Sequence, residues 1–250
     1  AVISGSNRGI GKSILELFAK NKCKIYACAR NSTKDFLDFI SDLSSKYAVE
    51  IEPIFFDFNE SNSIKEAAKD ILTDTDSIDI IINNAGIAHG SLFQMLSSEK
   101  INELFQTNYF SQIQFTQLLI KKMIKNKCGS IVNIGSTSGL VGDRGTVGYG
   151  SSKAALMYAS KAMASELGRY NIRVNSIAPG ITNTEMSNQM DEKAVEKALS
   201  NISLSRLAEP SEVAQVALFL SSQMSSAKFD RNTITITANK NDTICKASGS

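Results

Sequence analysis

A tyrosine and a lysine four residues apart, Tyr149-Gly-Ser-Ser-Lys153, follow a serine, Ser136, and a glycine run, Gly5-Ser-Asn-Arg-Gly9-Ile-Gly11, at the front of the chain. On a helix the Tyr149 and Lys153 side chains share one face. A free phenol titrates near ~10, a poor match for proton transfer at neutral pH. The Lys153 ammonium, together with the positive charge of an oxidised nicotinamide, favours tyrosinate and predicts a lowered pKa. Tyr149 then gives its proton to a ketone oxygen as hydride reaches the carbon. Ser136, just past a strand end, hydrogen-bonds the same oxygen where charge develops. Tyr-x-x-x-Lys alone is cheap: six tyrosines in a lysine-rich chain give on the order of 0.5 chance matches. The bland alternatives are a helix tyrosine packed at the sheet edge and a serine capping a strand end. The pair gains weight only beside the glycine run.

That run has the look of a phosphate cradle. Val2-Ile3-Ser4 reads as a strand entering a turn, and an amphipathic helix carrying Ile14, Leu15 and Phe18 follows. Glycines at 5, 9 and 11 let backbone approach a pyrophosphate, and the helix start offers free N–H groups and partial positive charge. The spacing is Gly-x-x-x-Gly-x-Gly, and a tight turn without ligand is the alternative. The second strand ends Ala27-Cys-Ala-Arg30 without the carboxylate that grips ribose hydroxyls in NAD enzymes. Arg30, with Arg8 inside the loop, favours NADP(H) over NAD(H). Two exposed surface arginines would read the same way.

These groups need a scaffold, and the whole chain supplies it. Short Ile/Val-rich runs near 2–4, 24–29, 51–56, 79–83, 130–135, 173–178 and 233–237 alternate with helical stretches near 10–21, 34–46, 63–72, 98–126, 149–169, 191–200 and 211–221. Alternation of this kind predicts an α/β fold: a Rossmann-type, doubly wound parallel sheet of about seven strands with helices on both faces. The expectation is one domain over residues 1–250, of which 42% are hydrophobic. Pro179 and Pro210 fall in connections, and the polar tail 239–250 has no pattern. The abrupt start predicts that residues precede Ala1.

Composition excludes several classes. A net charge of +2 is too neutral for a nucleic-acid binder working by charge. The cluster Lys121, Lys122, Lys125 and Lys127 reads first as a solvated helix face. Cys23, Cys28, Cys128 and Cys245 have no metal-ligand spacing and read as free thiols in a reducing, cytoplasmic setting. His89, the single histidine, reads as a loop residue, so neither a metal site nor a histidine triad is expected. No apolar stretch is long enough to span a bilayer, and no signal peptide is seen.

Gly5–Gly11, Asn83-Asn-Ala-Gly86, Asn108, Ser136, Tyr149–Lys153 and Pro179-Gly180 occur in the order and spacing of the short-chain dehydrogenase/reductase family, which the chain resembles over nearly its whole length. Ser130-Ile-Val-Asn-Ile-Gly-Ser136, Asn171-Ile-Arg-Val-Asn-Ser-Ile-Ala-Pro-Gly180 and Leu204-Ser-Arg-Leu-Ala-Glu-Pro210 are most similar to its 3-oxoacyl-(acyl-carrier-protein) reductase branch. The resemblance implies a catalytic set of Asn108, Ser136, Tyr149 and Lys153. Lys153 would also bind the nicotinamide ribose, and Asn108 would hold a relay water at a helix kink. It implies cofactor contacts from Gly5, Asn7, Arg8, Gly9, Ile10, Gly11 and Arg30, from Asp57 on the adenine amine and from Phe58 flanking the base. Asn84, Ala85 and Gly86 would lie under the adenosine ribose. Pro179, Gly180, Thr182 and Thr184 belong to the loop that meets the carboxamide and phosphates.

A substrate lid is expected over about 181–204, with Met186 and Met190 as lining or as plain amphipathic helix. The implied partners are a small-molecule or acyl-carrier-protein-bound substrate and a homotetramer or dimer through helices 98–126 and 149–169, with no nucleic acid and no membrane. Lys121, Lys122, Lys125, Lys127, Arg169 and Arg173 are the expected basic patch for an acidic carrier near the active-site mouth. The C-terminal segment departs from the family pattern: Ala238 and Asn239 follow the last strand where a glycine pair is usual. That departure keeps two other readings open, a reductase of another ketone (a keto sugar, a polyol-derived ketone or a small metabolite) and a non-catalytic NADP(H)-binding protein.

Overall fold

Branched aliphatic residues with little polar alternation suit strands covered on both faces, and the chain uses them so. β1 (Val2–Ser4), β2 (Ile25–Ala29), β4 (Ile80–Asn83), β5 (Gly129–Ile134) and β6 (Ile172–Pro179) expose no residue to solvent. The computed structural model describes residues 1–187, 200, 204, 206–222 and 233–236. β3 (Ile51–Phe55) completes a six-strand run with these, and β7 (Thr233–Ile236) adds a seventh along β6. All pairings are parallel, in the order β3-β2-β1-β4-β5-β6-β7. Pro53 sits inside β3, an edge strand, where a missing N–H costs no ladder bond.

Helices cover both faces, as crossovers between parallel strands require. α1 (Gly9–Lys20), α2 (Lys34–Tyr47) and α7 (Pro210–Ser221) bury one core around Ile3, Ile14, Phe18, Ile82 and Val213. α3 (Ser61–Asp74), α5 (Ser111–Asn126) and α6 (Val147–Leu167) bury the other around Val2, Ile64, Ile81, Phe115 and Ile131. Val2 and Ile3 are adjacent in sequence yet serve opposite cores, as the twofold alternation of a strand dictates. Local signals start the helices. Thr33 Oγ1 accepts from Phe36 N at the head of α2, and Pro210 opens α7 inside a reciprocal Glu209–Glu212 capping box.

The expected helix over 98–126 is two helices. α4 (Ser98–Phe105) and α5 are joined by a π turn, Gln106–Phe110, which inserts one residue into the ladder. Hydrophobic spacing is too coarse to register that insertion. Pro179, expected in a connection, is the last residue of β6 and pairs in register with Ile236. The expected helix 191–200, Met190, Cys245, most of the lid and the tail 239–250 lie outside the described residues.

The basic patch is not at the active-site mouth within the chain. Lys121, Lys125 and Lys127 are exposed around the end of α5, ahead of β5, whereas Ser136 follows the other end of that strand. Six strand residues rising ~3.3 Å each put the two ends about 20 Å apart. Arg173 is engaged elsewhere: its guanidinium donates to Leu220 O at 2.6 Å and Ser222 O at 3.2 Å, capping α7.

Candidate functional site: a dinucleotide groove beside a Ser–Tyr–Lys cluster

Strand order reverses between β1 and β4, and the crevice beyond their carboxyl ends is where an open α/β sheet takes a ligand. Ser4 ties the crevice together. Its Oγ accepts from Asn84 N at 2.9 Å and Ala85 N at 3.0 Å, while Asn84 Nδ2 donates to Ser4 O and Gly5 O, each at 3.0 Å. Gly5 has φ +64°, and a Cβ there would stand 2.8 Å from Ala85 Cα. A Cβ on Gly11 would stand 2.0 Å from Gly5 O, so the glycine loop closes only without side chains.

α1 begins after Arg8, whose extended backbone carries no side-chain cap, and no acidic residue sits in its first turn. Uncapped N–H groups with the positive end of the helix dipole suit a pyrophosphate. Asn7, Arg8 and Arg30 are exposed, and Ile10 is half-buried against the α1 core. Pro179 and Gly180 lead from β6 into a loop that reaches the same groove. Thr182 is buried with its hydroxyl on Gly180 O, and Thr184 Cγ2 lies 3.2 Å from where a Cβ on Gly9 would be. Asp57 accepts from Asn59 N at 2.8 Å and Asn59 Nδ2 at 3.1 Å and remains half-buried. The Phe58 ring is buried against Phe56 and Phe115 in the α3/α5 core.

On the other side of the crevice the expected catalytic set comes together. Lys153 Nζ donates to Ile134 O at 2.8 Å, and burial pushes its pKa down to about 8. A Cβ on Gly86 would meet Lys153 Nζ at 3.3 Å and Asn108 Oδ1 at 3.0 Å, so a side chain there would press on both. Ser136 Oγ accepts from Ser138 N at 3.2 Å and faces the Tyr149 hydroxyl. Burial pushes the Tyr149 phenol up, and Ser136 only partly opposes it. The expected lowering belongs to the complex with an oxidised nicotinamide; in the protein alone Lys153 is engaged with a carbonyl and the phenol keeps its proton.

The π turn explains Asn108. It aims the buried amide at the segment after β4, where Oδ1 accepts from Ile87 N at 2.9 Å and Nδ2 donates to Ile87 O at 2.9 Å. Nδ2 also donates to Ser152 Oγ at 3.0 Å, and Ser152 Oγ donates to Tyr149 O at 2.7 Å. The kink expected at Asn108 is present, and its side chain is committed to Ile87 and Ser152. Below the cluster, Asn83 Nδ2 donates to Asn133 Oδ1 at 2.7 Å and Asn133 Nδ2 to Ser160 Oγ at 2.7 Å, fastening α6 to β5 and β4.

Sequence reasoning missed Ser152, Gln112 and Glu185. Ser152 lies inside the Tyr-x-x-x-Lys spacing. Gln112 stands four residues after Asn108 and donates to Ala85 O, so helical spacing held a signal for both. Nothing local marks Glu185, which faces Arg8 across the loops. The mouth carries exposed Leu140, Val141 and Met186, and Ser91 N donates to Gly145 O at 3.0 Å, clasping the loops after β4 and β5. His89 lies exposed in the first of these loops.

Residues 1–195 match the family model for short chain dehydrogenases. Among curated proteins, the chain is 36% identical over 225 residues to a 3-oxoacyl-(acyl-carrier-protein) reductase of Thermotoga maritima, covering 90% of this chain and 91% of that protein. A protein of the same name from Chlamydia muridarum is 34% identical over 226 residues, again 90% and 91% of the two chains. Carbonyl reductase family member 4 of Xenopus laevis is 36% identical over 221 residues, 87% of this chain and 89% of that one.

Proposed function

The chain belongs to the short chain dehydrogenase family and is an oxidoreductase of that family, and on that premise we propose that it reduces a 3-oxoacyl thioester to the 3-hydroxy product with NADPH. The observation that carries this reading is the meeting of half-buried Tyr149 with buried Ser136 and Lys153 at one side of the crevice. The cofactor supplies hydride to the carbonyl carbon. Tyr149 donates its proton to the carbonyl oxygen, and Ser136 supports that oxygen as charge gathers on it. Lys153, at the Gly86 gap, stabilises the tyrosinate left behind and is placed to bind the ribose. Asn108 positions both, holding Ile87 on one side and Ser152 on the other. Gly5, Gly9, Ile10 and Gly11 present backbone to the pyrophosphate, and Thr182 and Thr184 close over it. Asp57 and the Asn84–Gly86 turn border the adenosine. Arg8 and Arg30 favour the 2′-phosphate.

The exposed apolar mouth (Leu140, Val141, Met186) accommodates an aliphatic body behind the carbonyl. The relatives named as carbonyl reductases favour a second reading, the same chemistry on another ketone. Exposed Val147 and Tyr158 on the outer face of α6 support assembly through that helix. The reading includes a homotetramer or dimer in the cytoplasm. Among the described residues no helix is long and apolar enough to cross a membrane. The test is NADPH oxidation with an acetoacetyl thioester beside NADH and a panel of simple ketones. Rapid NADPH-selective turnover of the thioester supports the first reading. Turnover of another ketone alone keeps the mechanism and replaces the substrate. Cofactor binding without turnover of any ketone overturns both.

A further inference from the structure

The Arg8 guanidinium lies 3.6 Å from the Glu185 carboxylate, joining the glycine loop to the loop after β6. The two anchors are unequal. Glu185 stands on a braced loop: Thr182 bridges to Ala208, Asn183 N donates to Ala208 O at 2.8 Å, and Ser187 Oγ bonds both Thr184 N and Thr184 O. Thr184 also fills the space over Gly9. The backbone that carries Glu185 is therefore placed independently of Arg8, while its carboxylate, like the Arg8 guanidinium, is exposed to solvent. Arg8 is a long, exposed side chain on the extended residue that opens α1, with no capping bond. Glu185 thus holds a negative charge against the Arg8 cation at the groove where a phosphate-bearing cofactor would lie. Arg30, at the end of the neighbouring β2, completes the cationic side.

We propose that Glu185 is a specificity-determining residue, which holds Arg8 until a cofactor 2′-phosphate takes its place and so sets the margin by which NADPH is preferred over NADH. This rests on the NADP(H) reading above. No bond other than the ion pair is exchanged: Arg8 leaves one anion for another, and Glu185 passes to water. Exposed pairs are weak, so releasing Arg8 strengthens phosphate binding by only about two- to fivefold. The pyrophosphate is common to both cofactors and is held by the loop backbone, so NADH is unaffected.

Equilibrium titrations of NADPH, NADH and 2′,5′-ADP against the whole protein test this in wild type, Glu185→Gln, Arg8→Gln and the double variant. The expected result is two- to fivefold tighter NADPH and 2′,5′-ADP in Glu185→Gln with NADH unchanged, and no effect of the second substitution in the Arg8→Gln background. Equal tightening of NADPH and NADH, or the same gain with Arg8 already gone, overturns the exchange and reduces Glu185 to a general repulsive charge. Unchanged affinities in Glu185→Gln overturn it as well. A wild-type protein that binds NADH and not NADPH rejects the underlying cofactor reading instead. Unchanged thermal unfolding of the single variants separates these outcomes from a folding defect.

Discussion

The two sides of the crevice are built differently. On the β4–β5–β6 side, Asn108, Lys153, Asn133 and Ser136 are buried and joined by hydrogen bonds that run from the π turn through α6 into the sheet. On the β1–β2 side, Arg8, Arg30 and Glu185 are exposed single charges on loops, and only the backbone of the glycine loop is tightly fixed. Buried hydrogen-bond networks are costly to breach, because removing one member strands its partners. Exposed charges are screened and interchangeable. The chemistry therefore lives where substitutions are expensive, and the choice of cofactor lives where they are cheap.

Substitutions can break that contrast or sharpen it. Tyr149→Phe removes the proton donor, and kcat should fall by about 10²- to 10⁴-fold while cofactor affinity, read by fluorescence titration, stays near wild type. Retained turnover would take Tyr149 out of the mechanism. Next in size is Asn108→Ala. It strips Ile87 N–H and C=O of their partner and frees Ser152, at a cost of about 1–3 kcal/mol in denaturant unfolding, with a loss of kcat beside it. Wild-type stability in that variant would mean that the π turn is held by something other than this amide.

The pH profile comes third. Lys153 has its pKa lowered to about 8 by burial, so its working ammonium is present below that pH and lost above it. The kcat/KM for ketone reduction, which reports the free enzyme, should decline as pH rises through about 8 and approach tenfold per unit beyond. A flat profile to pH 9.5 would detach Lys153 from the rate. The smallest effect belongs to Arg30→Ala on the exposed side. NADPH should weaken by up to about tenfold, as expected for one exposed charged contact, with NADH and kcat unchanged. A loss as large as that in Tyr149→Phe would erase the contrast between the two sides.

The sequence by itself determined everything that local spacing encodes. Tyr149 and Lys153 share a helix face because they are four apart. Gly5, Gly9 and Gly11 mark a turn where backbone can approach a pyrophosphate, and Ile/Val runs alternating with helices require a parallel sheet. Tertiary structure alone decided whatever depends on which distant groups meet. One extra residue in the helix ladder at Gln106–Phe110 rotates Asn108 onto Ile87 and Ser152, and hydrophobic periodicity cannot see a single insertion. In the protein alone burial raises the Tyr149 phenol, while the Lys153 ammonium is committed to Ile134 O. The lysines of α5 stand at the far end of the sheet from Ser136, and Glu185 faces Arg8 across loops far apart in sequence. Desolvation and long-range pairing are properties of the packed chain, and no window of neighbouring residues contains them.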